Sequence, residues 1–125
     1  MITTDILSNL FSALKNGCLV NKTKITQVNS KSTQNILNIL IREGFIKSYK
    51  INKNKIDIFI KYKNNKPVIT NILKISKSSK RVYLKNKDLY KNKRGFFILS
   101  TSLGFLTDIQ AKNLNVGGEF ICQIY

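Results

Sequence analysis

Ile98-Leu-Ser-Thr-Ser-Leu-Gly-Phe-Leu-Thr-Asp-Ile-Gln-Ala-Lys-Asn-Leu-Asn-Val-Gly-Gly-Glu-Phe-Ile-Cys-Gln-Ile-Tyr125 is the stretch that decides the reading of this chain. An apolar strand, Phe96 to Leu99, runs into three consecutive hydroxyl residues, Ser100-Thr101-Ser102. Gly104 follows, and Thr107-Asp108 reads as a helix start. Asp108 and the residues after it lead to a tight turn at Val116-Gly117-Gly118-Glu119 and a closing strand from Glu119 to Tyr125. This order places the hydroxyls on a loop held between rigid elements. Hydroxyls both donate and accept, so such a loop suits phosphate oxygens, sugar hydroxyls and base edges. The alternative is that they satisfy only local backbone groups. Gly104 removes a side chain where another backbone approaches.

The charge around that loop narrows the partner. The 125 residues carry 22 Lys+Arg against 6 Asp+Glu, a net charge of +16. So unbalanced a chain repels itself unless a polyanion offsets the charge. The excess is present in both halves: residues 1–70 hold 12 basic and 3 acidic residues, and residues 71–125 hold 10 and 3. A neutral domain with a basic tail is therefore excluded. The densest run, Lys74 to Arg94, contains Tyr83 and Tyr90, which can stack on bases or sugars. Within it Lys77, Lys80 and Arg81 flank a turn and supply point charges and a guanidinium fork for phosphate. Lys15-Asn16 and Ser30-Lys31 are weaker signals of the same kind.

Catalysis finds little support. The chain has no histidine to activate Ser100, Ser102, Cys18 or Cys122. No S-x-x-K spacing involves these serines, and no glycine pair frames a nucleophile elbow. Gly117-Gly118 falls short of any phosphate-loop fingerprint. Glu119 either orders a lysine or accepts from a base amino group. The two cysteines, far apart, form no metal-ligand spacing and read as free thiols of a reducing compartment. We expect no cofactor, metal or small-molecule substrate. No apolar run approaches the roughly 18 residues of a membrane span, and no secretory signal is expected. Lys, Asn and Ile are abundant, the profile of an A- and T-rich genome such as an organelle's or a reduced bacterium's.

Before the deciding stretch, Thr3-Thr4-Asp5 starts a helix with apolar spacing through Leu14 and a stop at Gly17. Ile25 to Val28 reads as a strand. A second helix, capped by Ser30 or Ser32, carries Ile36, Leu37, Ile39, Leu40 and Ile41 and ends at Gly44. Phe45 to Ile51 and Lys55 to Tyr62 form a hairpin around Asn52-Lys53-Asn54. Asn64-Asn65-Lys66-Pro67 is the expected boundary between subdomains 1–66 and 67–125. Beyond it Val68 to Ile75 and Arg81 to Lys85 are expected strands joined by a turn over Ser76 to Lys80, with a basic loop over Asn86 to Gly95.

Ser100-Thr101-Ser102-x-Gly104-x-x-Thr107-Asp108, then Ala111, then Val116-Gly117-Gly118-Glu119 with Cys122, resembles the signature of the eighth small-subunit ribosomal protein, bacterial and organellar type. Thr4-Asp5 with Lys15-Asn16, Ser30-Lys31, Glu43 to Lys47, Ile75-Ser76-Lys77 and Arg81-Val82-Tyr83 extend the resemblance along the chain. Ile6 and Val28 stand where the family usually has proline, Ala13 where it often has arginine, and Ser78-Ser79 where it has a Pro-Gly turn.

The resemblance implies an α+β fold: an N-terminal α-β-α-β-β subdomain packed on a mostly antiparallel C-terminal subdomain with short helices. It implies a non-enzymatic structural constituent of the small ribosomal subunit, binding the central domain of small-subunit rRNA early in assembly beside neighbouring ribosomal proteins. It also implies the contact set. Ser100, Thr101, Ser102 and Gly104 form the main RNA loop, and Tyr83 lies nearby. Lys15, Asn16, Lys31, Lys77 and Arg81 hold the RNA backbone, and Ser30, Thr107, Gly117, Gly118 and Glu119 complete the set. With the composition, it points to a mitochondrial ribosome, with plastid or AT-rich bacterial cytoplasm as the alternative. A non-ribosomal RNA-binding regulator, or an RNA-acting enzyme, is the other reading of the same surface.

Overall fold

The structure, a computed structural model, describes residues 2–75, 83–84 and 95–125, with side chains from residue 6 onward except at 83 and 84. The architecture is α+β, and the chain divides into two compact units, Met1–Thr70 and Asn71–Tyr125.

In the first unit α1 (Ile2–Leu19) buries Leu7, Leu10, Phe11, Leu14 and Cys18 along one stripe. The expected stop at Gly17 is corrected. The helix runs two residues further, because Gly17 is there for packing: a Cβ on it would lie 2.9 Å from Ile25 Cγ2 and 3.0 Å from Ile60 Cδ1. Asn21 ends the helix instead. It takes the left-handed conformation, φ 57°, while Asn21 N–H donates to Cys18 and Lys22 N–H to Gly17. Asparagine tolerates that region better than most residues, so the real stop lay four residues beyond the glycine.

β1 (Lys24–Val28) leads to α2 (Lys31–Arg42), whose N-cap is Ser30. The Ser30 hydroxyl accepts from Thr33 N–H at 3.1 Å and donates to Thr33 Oγ1 at 2.9 Å. The helix buries Ile36, Leu37, Ile39 and Leu40, and Gly44, at φ 83°, closes it. β2 (Ile46–Asn52) and β3 (Lys55–Ile60) form the expected hairpin, turning at Lys53-Asn54. The sheet order is β1-β3-β2, all antiparallel. Ile56, Ile58 and Ile60 alternate onto its buried face. Both helices contact this sheet and each other, and each fully buried Leu or Ile contributes roughly 1.5–3 kcal/mol. The stretch Asn64 to Pro67 is a small hairpin: β4 (Tyr62–Lys63) pairs with β5 (Lys66–Pro67) around Asn64-Asn65, both at positive φ. Tyr62 donates to the Lys22 carbonyl and ties this hairpin to the exit of α1.

In the second unit β10 (Gly118–Ile124) is the hub. It pairs with β6 (Ile72–Lys74) and β7 (Tyr83–Leu84) on one edge and with β8 (Phe96–Thr101) on the other. Residues 119 to 122 are all buried, with a register shift between Phe120 and Cys122. Leu99, Ala111 and Phe120 form the core under β8, with Ile75, Phe97 and Val116 against them. The strand expected over Val68 to Ile75 is shorter: the ladder with β10 covers Ile72–Lys74, extended by backbone bonds from Ile75 N–H to the Ile121 carbonyl and between Asn71 and Tyr125. The Ser76-to-Lys80 turn and the Asn86-to-Arg94 loop lie outside the described residues.

α3 (Asp108–Asn113) begins at Thr107 as expected. The tight turn, however, is at Leu114-Asn115 and not at Val116 to Glu119. Asn115 is left-handed, φ 57°, and Val116 N–H donates to the Ala111 carbonyl, so the helix terminator itself makes the reversal. Gly118 already belongs to β10.

Candidate nucleic-acid interface

The hydroxyl segment is not a loop between a strand and a helix. Ser100 and Thr101 are the last residues of β8, and β9 (Gly104–Thr107) pairs back against them, leaving Ser102-Leu103 as a two-residue turn. Ser100 faces Phe105 in register and Thr101 faces Gly104. A strand was not legible over residues 104–107 because neither turn residue is Gly, Asn or Asp. The reversal depends instead on Gly104, whose φ of 105° few side chains tolerate.

Thr101 locks this tip. Its hydroxyl donates to the Gly104 carbonyl at 2.8 Å and accepts from Leu103 N–H at 3.1 Å. The purely local role holds for Thr101, while Ser102 stands exposed at the tip and Ser100 is half-buried beside β10. Among the described residues, no atom other than those of Gly104 and its chain neighbours lies within 4 Å of where a Gly104 Cβ would be, so no other described segment approaches it there. The glycine leaves open space on an exposed turn.

Four other residues support the tip from beneath. A Cβ on Gly118 would lie 2.3 Å from the Ser100 carbonyl oxygen, so glycine is what lets β10 come this close to β8. Glu119 is buried and in register with Ser100 on β8 and Tyr83 on β7. Thr107 is 4% exposed, and its hydroxyl accepts from Gln110 N–H at 3.2 Å while Gln110 Oε1 accepts from Thr107 N–H at 3.1 Å, a reciprocal capping box. Asp108, fully buried, accepts from Phe97 N–H through Oδ1 at 3.4 Å and ties α3 to β8. Gly117 is exposed just before β10. Thus Ser100, Thr101, Ser102, Gly104, Gly118, Glu119 and the backbone of Tyr83 meet around one end of this sheet.

Lys15, Asn16, Ser30 and Lys31 belong to the first unit. Lys15, Asn16 and Lys31 are exposed, whereas the Ser30 hydroxyl is engaged in the α2 cap. A surface groove between α1 and β1 is lined by Asn16 together with Lys22, Lys24 and Thr26. Sequence reasoning missed Lys22 and Lys24 because isolated lysines in a lysine-rich chain carry no signal. It also missed Leu103, an apolar residue 61% exposed at the hairpin tip. Lys77 and Arg81 lie outside the described residues.

The thiols are chemically quiet. Burial raises both above the ordinary thiol range, and for Cys122 a hydrogen bond involving the Ile98 backbone opposes the rise only in part. Among the described residues no three His, Cys, Asp or Glu side chains cluster as metal ligands. No described helix is long and apolar enough to cross a membrane.

The family described as Ribosomal protein S8 matches residues 5–125. Small ribosomal subunit protein uS8m of Acanthamoeba castellanii is 40% identical over 125 residues, covering 96% of this chain and 98% of its own. Small ribosomal subunit protein uS8 of Blochmanniella pennsylvanica is 37% identical over 130 residues, covering 99% of each chain. Small ribosomal subunit protein uS8c of Oltmannsiellopsis viridis is 36% identical over 129 residues, covering 99% of this chain and all of its own. The chain therefore belongs to the ribosomal protein S8 family, a family of ribosomal structural proteins and not of enzymes.

Proposed function

We propose that this protein is a structural constituent of the small ribosomal subunit, and that it binds the central domain of small-subunit rRNA and supports its assembly. The observation that carries the RNA-binding role is the β8–β9 tip: Ser102 exposed, Thr101 bridging the turn, and Gly104 open to its surroundings. A tip braced by Thr101, with Ser102 and Gly104 exposed on it, fits an irregular RNA helix by shape, with hydroxyls meeting 2′-OH groups and phosphate oxygens. The net charge of +16 supplies the sequence-independent attraction. Residues 67–125 carry the main contact in this reading, with Tyr83, Lys77 and Arg81 as further RNA contacts. Lys15, Asn16 and Lys31 add backbone contacts from residues 1–66. Gly118 and Glu119 shape the site from beneath, Thr107 and Ser30 hold the elements that present it, and Gly117 adds an open backbone position.

The proposed location is a mitochondrial ribosome. The Lys-, Asn- and Ile-rich composition supports an A- and T-rich genome, and relatives named for the mitochondrial type stand beside plastid and bacterial ones. The partners in this reading are the rRNA and neighbouring small-subunit proteins.

The test is binding of the purified protein to a central-domain rRNA fragment against a scrambled duplex of equal length, across a salt series. A preference of about 10³ or more at physiological salt supports specific recognition. Equal binding to both RNAs that vanishes with salt shows charge acting alone.

A further inference from the structure

We propose that Leu103 is an apolar RNA contact, packing against a ribose or base face at the hairpin tip. This rests on the reading of the β8–β9 hairpin as the RNA site and adds the chemistry of its apex. Leucine is out of place there by ordinary turn chemistry, since two-residue turns favour Gly, Asn, Asp and Ser. It is 61% exposed, in a chain whose excess charge invites a lysine at any protruding position.

A lone exposed leucine is common on protein surfaces and by itself carries no function. The backbone around this one sets it apart. Its N–H is held by Thr101 Oγ1 at 3.1 Å, and the same hydroxyl donates to the carbonyl of the next residue, Gly104, at 2.8 Å. The peptide group before Leu103 and the one after Gly104 are therefore tied to a single hydroxyl, which braces the turn on either side of the residue. Its neighbours Ser102 and Gly104 are small and exposed, and among the described residues a Gly104 Cβ would meet nothing within 4 Å beyond its chain neighbours. The tip presents one apolar side chain on a braced turn, flanked by clearance on both sides. Bracing lowers the ordering cost on binding.

RNA offers surfaces that fit such a group. The minor groove of an RNA helix is wide and shallow, and irregular helices splay bases out of the stack. The apolar faces of sugars and bases lie there, away from the phosphates. Contact with them gains from burial and releases no counterions. The structure thus assigns two separable parts to binding: lysines whose contribution falls with salt, and an apex whose contribution does not.

The experiment compares wild type, Leu103→Ala and Leu103→Lys on the central-domain rRNA fragment and on scrambled duplex, from low to high salt. Leu103→Ala is expected to weaken the rRNA complex about tenfold at every salt concentration with the slope unchanged. On scrambled duplex it should bind as wild type does. Leu103→Lys is expected to steepen the rRNA salt slope by about 0.7–0.9 and to bind more weakly than wild type at the highest salt. Circular dichroism and melting temperature should match across all three proteins, because the residue is exposed. Leu103→Ala affinity within twofold of wild type throughout overturns the inference, and so does a loss confined to low salt. A wild-type protein with no preference for the rRNA fragment overturns the RNA reading and this inference with it. A preference that survives Leu103→Ala intact overturns this inference alone.

Discussion

Gly118 lies so close to Ser100 that a methyl group on it would stand 2.3 Å from the Ser100 carbonyl oxygen and 3.0 Å from Thr101 Cγ2. Two strands of one sheet, β10 and β8, approach at this point just below the hydroxyl tip. The obstructing atom is backbone, so no rotamer change relieves the clash. Gly118→Ala is expected to destabilise the protein by about 1–3 kcal/mol through overpacking. It should also displace Ser100 and weaken rRNA binding. Urea denaturation checks the first effect, and a wild-type midpoint would refute it.

Thr101 braces the tip through one oxygen that donates and accepts. Thr101→Val keeps the shape and removes both bonds. The expected loss is about 1–2 kcal/mol in the hairpin. Amide exchange at Leu103 should accelerate, and rRNA affinity should fall. Thr101→Ser restores the hydroxyl and is expected to recover both. Unchanged exchange at Leu103 in the valine variant would remove the bracing role.

Ser102 is exposed, so its loss should leave folding intact. Ser102→Ala is expected to keep the wild-type melting temperature and to weaken cognate rRNA more than scrambled duplex, by about fivefold to tenfold for one lost hydrogen bond. Filter binding with both RNAs measures this. Equal losses on the two RNAs would argue against specific readout by this hydroxyl.

Cys122 is fully buried, and burial raises its thiol above the ordinary value of 9.0. The folded state therefore keeps its proton after the unfolded chain has released it. Stability from this group is fully present below about pH 9 and falls as pH rises beyond it, by up to about 1.4 kcal/mol per pH unit. The buried Cys18 thiol acts in the same direction. Under reducing conditions between pH 8 and 10, Cys122→Ala should be less stable at pH 8 yet lose stability less steeply. Identical slopes for the two proteins would show that Cys122 does not set the alkaline limit.

Much of this protein was legible in the chain itself, wherever the cause of a structure is local. Ser30 caps α2, and Gly44 ends it, through bonds among residues no more than five apart. The β2–β3 hairpin follows from alternating isoleucines with a turn between them. Thr107-Asp108 announces the start of α3, and Thr107 caps it through a residue only three positions on. The charge, and the motif from Ser100 to Glu119, likewise stand in the sequence and carry the family resemblance.

What only the tertiary structure decided is the meaning of residues whose neighbours are distant in sequence. Gly17 looks like a helix stop until Ile25 and Ile60 are placed against it, and then it is a contact that admits no larger side chain without adjustment. Residues 104–107 become a strand because β8 is there to pair with. Gly118 reads as part of a turn until the Ser100 carbonyl is found pressing on it from another strand. Two hydroxyls two residues apart, at Ser100 and Ser102, have different surroundings, one half-buried beside β10 and one in the open. Local hydrogen bonding and periodicity are written along the chain, whereas steric exclusion between strands exists only once the sheet has formed.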